Sequence, residues 1–267
     1  MDITAAIIFH HERALALPAL ASFSEMVETA RASGLSVETC AILDRPDDKT
    51  AALVRLQADW FTQVNQVDFG DLGLSRNSVV ASASGRFLAF FDGDDLWSAA
   101  WLLEAFRSAS IQPRECVLHP DALYYFSEED FPVDGPVAAA RSFFMFHTGT
   151  DSPDFDPRAL LANNLWTANV FTTREIHARF PYLKVERETG FGIEDWSWNL
   201  ATVAAGIPHL VVPGTLHLIR QKHTGSLRHQ NDAEGLLPSM PADLSRIFAV
   251  PQPRPGVRTD PKRSSAT

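Results

Sequence analysis

The chain has 267 residues, 45% of them hydrophobic, enough to bury a substantial core within one compact unit. Its 23 Lys and Arg stand against 33 Asp and Glu, a formal charge of -10 with a pI near 5.3, which excludes a broad basic footprint for nucleic acid or an anionic membrane and favours a small-molecule or polymer substrate. Two cysteines, Cys40 and Cys116, are too few for a disulfide framework or a cysteine zinc site and read as buried thiols.

No basic stretch leads into a long apolar run after Asp2, and no segment approaches the roughly 20 apolar residues of a membrane span. The expected location is therefore cytoplasmic, with peripheral membrane association through a partner left open. Ala5 to Phe9 is a continuous apolar run that ends in His10, His11 and Glu12, as a buried strand delivering a polar loop would. Leu17, Leu20, Phe23, Met26, Val27 and Ala30 recur at helical spacing, and Gly34 stops that helix. Val37 to Leu43 is a second strand, ended by Asp44; Asp48 to Phe61 reads as a helix, Gln63 to Phe69 as a strand and Ser75 to Ser84 as a helix closed by Gly85. Phe87 to Phe91 is the most apolar strand and runs into Asp92, Gly93, Asp94 and Asp95, after which Leu96 to Ala109 has an amphipathic helical pattern.

The second half is less regular. Strands are expected over Val117 to Phe126, Ala138 to Phe146 and Val211 to Gln221, and helices over Asp156 to Asn163, Thr173 to Arg179 and Trp196 to Ala205. The stretch from Ser127 to Pro136 reads as an acidic loop, and residues 250–267 as a disordered tail. Trp166, Trp196 and Trp198 invite a sugar-stacking role, but core packing is expected for at least two of them.

Alternation of strands and helices implies an α/β fold with a mostly parallel sheet flanked by helices, and in such sheets ligands bind beyond the carboxyl ends of the strands. Glu12, Asp44 and the group Asp92, Asp94, Asp95 fall at such ends. Carboxylate oxygens suit Mg²⁺ or Mn²⁺ and leave coordination positions for phosphate. Asp92 and Asp94 can approach one ion, with Gly93 allowing a tight turn; a plain Asp-Gly turn with Asp95 capping a helix is the alternative.

The run Asp68-Phe-Gly-Asp71-Leu-Gly73-Leu-Ser-Arg76-Asn77, followed by Ala83-Ser-Gly85-Arg-Phe-Leu-Ala-Phe-Phe-Asp92-Gly93-Asp94-Asp95, resembles the nucleotide-binding half of family 2 glycosyltransferases, with their glycine loop, Arg-Asn helix, apolar strand and DxD motif in order. The resemblance covers about residues 3 to 107 well. It implies a GT-A (Rossmann-like) fold in which residues 1–115 bind a nucleotide-diphosphate sugar and residues 116–249 form the acceptor side of the same domain. It places His10, Glu12, Asp44, Arg76, Asp92, Gly93 and Lys222 against the nucleotide-sugar, and Asn77, His11 and Arg220 near it. It implies a Mn²⁺ or Mg²⁺ held by Asp92, Asp94 and His223, the last within a segment that resembles the family's late histidine motif. Gly192-Ile-Glu194-Asp195-Trp196 looks like the family's Glu-Asp motif, in which Asp195 would be the catalytic base of an inverting transfer, with Glu194 as fallback. Leu43-Asp44-Arg45-Pro46 departs from the usual paired aspartates, so the donor base stays open. So does the acceptor, a glycan or another hydroxyl.

Two rival readings are a sugar-phosphate nucleotidyltransferase and a non-catalytic nucleotide- or glycan-binding module. The first wants a glycine-rich phosphate loop after the first strand, and His10-His11-Glu12-Arg13 has no glycine.

Overall fold

The structure is a computed structural model that describes residues 1–127, 142–222, 231 and 233–249. The expected tail over 250–267, most of the acidic loop and His223 lie outside the described residues.

The first half alternates β1 (Ile3–Phe9), α1 (Ala16–Ala32), β2 (Val37–Asp44), α2 (Asp48–Arg55), β3 (Gln63–Val67), α3 (Leu72–Ser82) and β4 (Phe87–Asp92). Every residue of β1 and β2 is buried, because helices cover both faces of this parallel part of the sheet; their few polar residues are paired inside, as where Thr4 donates to Glu38 at 2.6 Å. β1 lies between β2 and β4, both parallel to it. Its alternate residues Ile3, Ala5, Ile7 and Phe9 join a core with Phe23, Met26 and Val27 of α1, while Ala6 and Ile8 face Val79 of α3 and Trp198 on the other side. Phe23, fully buried among Phe91, Trp60 and Phe61, is worth about 1.5–3 kcal/mol by transfer alone.

The second half contributes β5 (Leu96–Trp97), α4 (Trp101–Ser110), β6 (Val117–Ser127), β7 (Phe143–Phe146), β8 (Phe171–Thr173), α5 (Arg174–Arg179), α6 (Glu194–Ala204), β9 (His209–Gln221) and α7 (Ser245–Phe248). A nine-stranded sheet runs β3-β2-β1-β4-β8-β6-β9-β5, with β7 paired to β6. β8 joins β4 antiparallel, so the two halves share one continuous sheet. Both cysteines are buried and free. Among the described residues no helix is long and apolar enough to cross a membrane.

Three expected elements differ, one of them the Asp156 to Asn163 helix, which is a 3-10 turn over Pro157–Leu161. The Asp48 to Phe61 helix stops at Arg55 and is followed by a separate 3-10 turn, Ala58–Trp60. Leu96 and Trp97 are strand rather than helix, because β9 arrives antiparallel to pair Leu96 with Leu218 and Trp97 with His217. The hydroxyl of Ser22 on α1 fixes that turn, accepting from Trp97 N at 2.8 Å and donating to Trp97 O. The helix proper then starts at Trp101. Trp166 and Trp198 are core residues, as at least two of the three tryptophans were expected to be.

Candidate functional site

Asp92 ends β4 beside Ile8 of β1, and the chain turns through Gly93 to Asp95, whose N–H donates to the Asp92 carbonyl. Gly93 is glycine for a different reason than a tight turn: its φ is not positive, but a Cβ there would lie 2.4 Å from a Phe9 ring carbon and 2.7 Å from the Ile8 carbonyl oxygen. Gly93→Ala should therefore push the acidic loop off β1 and cost about 1–3 kcal/mol, read as a lowered urea midpoint with an unchanged slope. An unchanged midpoint would show that the loop yields freely.

The loop's three aspartates have different partners. Asp95 is buried; its Oδ2 lies 2.9 Å from His217 Nε2 and its Oδ1 accepts from Arg220 N at 2.9 Å. Burial pushes the Asp95 carboxyl up to about 6, against the pull of the His217 hydrogen bond. Asp95 thus clamps β9 to the loop and does not cap a helix. The clamp brings Lys222 Nζ to 2.5 Å from Asp94 Oδ2, and lets Arg220 Nε donate to the Asp94 carbonyl. Burial works against the Lys222 ammonium, but Asp94, then Glu12 and Asp95, outweigh it and raise its pKa. Glu12 at the end of β1 accepts from His10 N, and its carboxyl is raised by burial and by the charge of Asp94. Glu12, Asp94 and Lys222 therefore form one cluster.

Arg76 on α3 makes a second cluster. Its side chain is 1% exposed; Nη1 donates to Glu194 Oε1 at 2.9 Å, Nη2 to Asp92 Oδ1 at 3.2 Å, and the guanidinium stacks over Tyr182 at 5.2 Å. Arg76, expected against the nucleotide-sugar, is thus buried and ties the Asp92 strand end to the start of α6. Asp195 follows Glu194. Its Oδ1 accepts from Trp196 N at 2.7 Å and its Oδ2 from Asn164 Nδ2 at 3.0 Å. Burial, then the neighbouring Glu194 charge, raises the Asp195 carboxyl to about 7, with Arg76 opposing. Glu194 itself is 8% exposed and engaged with Arg76, so Asp195 is the more open of the two.

Asp44, also expected against the nucleotide-sugar, is held from within the protein. Its carboxylate is 4% exposed and accepts four hydrogen bonds: Phe69 N and Gly70 N at 2.9 Å, Asp71 N at 3.1 Å and Ser75 Oγ at 2.9 Å. It shapes the glycine loop from within. Asn77 is likewise structural, exchanging hydrogen bonds with the backbone of Tyr182. His10 is exposed, places Nδ1 at 2.5 Å from the Asp44 carbonyl and stacks on His11 with ring centroids 3.7 Å apart. The residues that sequence reasoning missed, His217, Tyr182, Asn164 and Asn199, sit in segments without a motif. Thr215 and His217 do alternate inward on β9, but a period of two does not reveal that the inward face meets an aspartate.

Asp92, with its side chain 35% exposed, and Asp94 supply hard oxygen donors suited to Mg²⁺ or Mn²⁺. Among the described residues no group of three His, Cys, Asp or Glu side chains is arranged to hold a metal by itself, so such an ion would take further oxygens from a bound phosphate.

No protein-family model and no curated protein matches the chain. Solved structures do. Residues 1–349 of S. aureus TarS in complex with UDP-GlcNAc align over 84% of this chain and 60% of that one, with a TM-score of 0.58 at 13% identity. Pyrobaculum calidifontis mannosyltransferase PcManGT, in complex with GDP-Man and Mn²⁺, aligns over 84% and 58%, at 0.54 and 15%. GalNAc-T7 with UDP, GalNAc and Mn²⁺ aligns over 84% and 45%, at 0.59 and 14%. The chain spans at most 60% of the length of these neighbours. Its fold is the GT-A glycosyltransferase fold, a mixed α/β sheet flanked by helices.

Proposed function

We propose that the chain is a metal-dependent, inverting glycosyltransferase that moves a sugar from a nucleotide-diphosphate sugar to an acceptor hydroxyl. The observation that carries this reading is the Arg76 bridge, which brings the Asp92 strand end and the Glu194–Asp195 helix start together from distant parts of the chain. A fold of this kind with only one acidic cluster would serve binding; a half-buried carboxylate raised to about 7 beside it serves proton transfer as well.

Asp92 and Asp94 would hold Mn²⁺ or Mg²⁺, which when bound neutralises charge on the departing nucleoside diphosphate. Arg220 near the end of β9 and Lys222 just after it both bond Asp94 and add positive charge there. The stacked His10 and His11 offer an exposed face beside the strand ends for the nucleotide, and Glu12 balances Lys222. Asp195 accepts the proton of the acceptor hydroxyl as its oxygen bonds to the anomeric carbon and the bond to the diphosphate oxygen breaks. Its ionised form prevails above pH 7, so transfer should rise with pH through that region.

The test is a thermal-shift panel of UDP, GDP, dTDP and CMP, each with Mn²⁺ and with EDTA. A ligand at ~100 times its Kd stabilises the fold by about 2.7 kcal/mol. One diphosphate shifting the melting temperature only with metal supports the reading and names the donor base. No metal-dependent shift with any of the four would sink it.

A further inference from the structure

α6 carries Asp195 and, one turn on, Asn199; both meet Asn164 from the segment before β8. Asn164 Nδ2 donates to Asp195 Oδ2 at 3.0 Å, Asn164 Oδ1 accepts from Asn199 Nδ2 at 2.8 Å, and that same Nδ2 reaches the Trp166 carbonyl at 3.4 Å. The order of atoms in this chain is not free. A carbonyl can only accept, so the Asn199 terminus that faces Trp166 O is the amide nitrogen. That nitrogen demands an oxygen on Asn164, which turns the Asn164 nitrogen toward Asp195. Reversing either amide would set two acceptors or two donors face to face. Asn199 is 1% exposed, so bulk water does not reach its side of the chain.

We propose that Asn164 and Asn199 are positioning residues, a directed amide relay that fixes the Asp195 carboxylate in one orientation and always presents a donor to its Oδ2. The inference rests on Asp195 being the base. Its physical content is separate: a donor on Oδ2 favours the anion and so opposes the burial and Glu194 charge that push this carboxyl upward. Without the relay more of the carboxyl is protonated at neutral pH and cannot take a proton. Asn164 is only half-buried, and its replacement leaves the core intact.

The experiment is a pH titration of the Asp195 carboxyl by ¹³C NMR of full-length protein, with the signal assigned by its loss in Asp195→Asn. Asn164→Ala should raise the midpoint by about one pH unit. Asn199→Leu should raise it less, because Asn164 can then turn, and the double variant should move it no further than Asn164→Ala alone. An unmoved midpoint in Asn164→Ala, or additive shifts in the double variant, overturns the relay. Failure of the base reading is read separately: Asp195→Asn would then keep full turnover of the sugar donor whose diphosphate gives the thermal shift, whatever the titration shows.

Discussion

Arg76→Met should destabilise the fold by about 3–5 kcal/mol, since it leaves the buried Glu194 carboxylate without its counter-charge. Methionine fills the space of the arginine stem, so little of the loss comes from a cavity. The double variant Arg76→Met/Glu194→Gln removes the stranded charge as well and should recover a large part of the loss. Urea unfolding of the wild type, the two single variants and the double variant measures both numbers. Equal losses in Arg76→Met and the double variant would mean that the ion pair contributes little and that packing over Tyr182 explains the arginine. Arg76→Met should also impair donor binding, because Asp92 loses the group that orients it.

Acid should unfold this protein earlier than its composition suggests. His119, His147, His177 and His209 are buried in the native state, and burial is the leading reason that all four are held below the ordinary histidine value: His147 to about 4, His177 and His209 to about 3, and His119 well below it. His119 Nε2 lies 2.9 Å from His209 Nδ1, whose ring reaches Thr202 through its other nitrogen; a proton added to either ring would meet a neighbouring imidazole in a dry core. The unfolded chain binds these protons near pH 6.5 and the native state does not, so the stabilisation is complete above 6.5 and falls as pH drops toward the folded values. Asp195 and Asp95 act in the opposite sense, because their raised folded values make the native state take up protons first, below about 7 and about 6 respectively. The histidines outnumber them. The net loss between pH 6.5 and 5 is about 3.5 kcal/mol, a large part of the whole stability of many domains. Urea midpoints across this range, together with His209→Asn and His119→Gln variants, should show a steep acid fall that flattens as histidines are removed. A flat profile from 6.5 to 5 would contradict the buried network.

The local pattern reached far into this fold. β1, β2 and β4 are legible because strands buried on both faces are mostly apolar and give way to polar residues where they end, at His10, Asp44 and Asp92. α1 is legible because one face is buried at helical spacing. β5 and β8 were not, since strands of two and three residues are made by their partners and have no period of their own.

The chemistry-bearing residues divide in the same way. Sequence by itself determined which strand ends carry carboxylates, because that depends on neighbours along the chain. Only the tertiary structure decided how each carboxylate is used: Asp44 by the glycine loop, Asp95 by His217, Glu194 by Arg76, with Asp92, Asp94 and Asp195 left partly open. A charge or hydrogen bond acts over a few ångströms of space regardless of the number of residues between its partners. Those partners come from α3, α6 and β9, and folding alone sets them side by side.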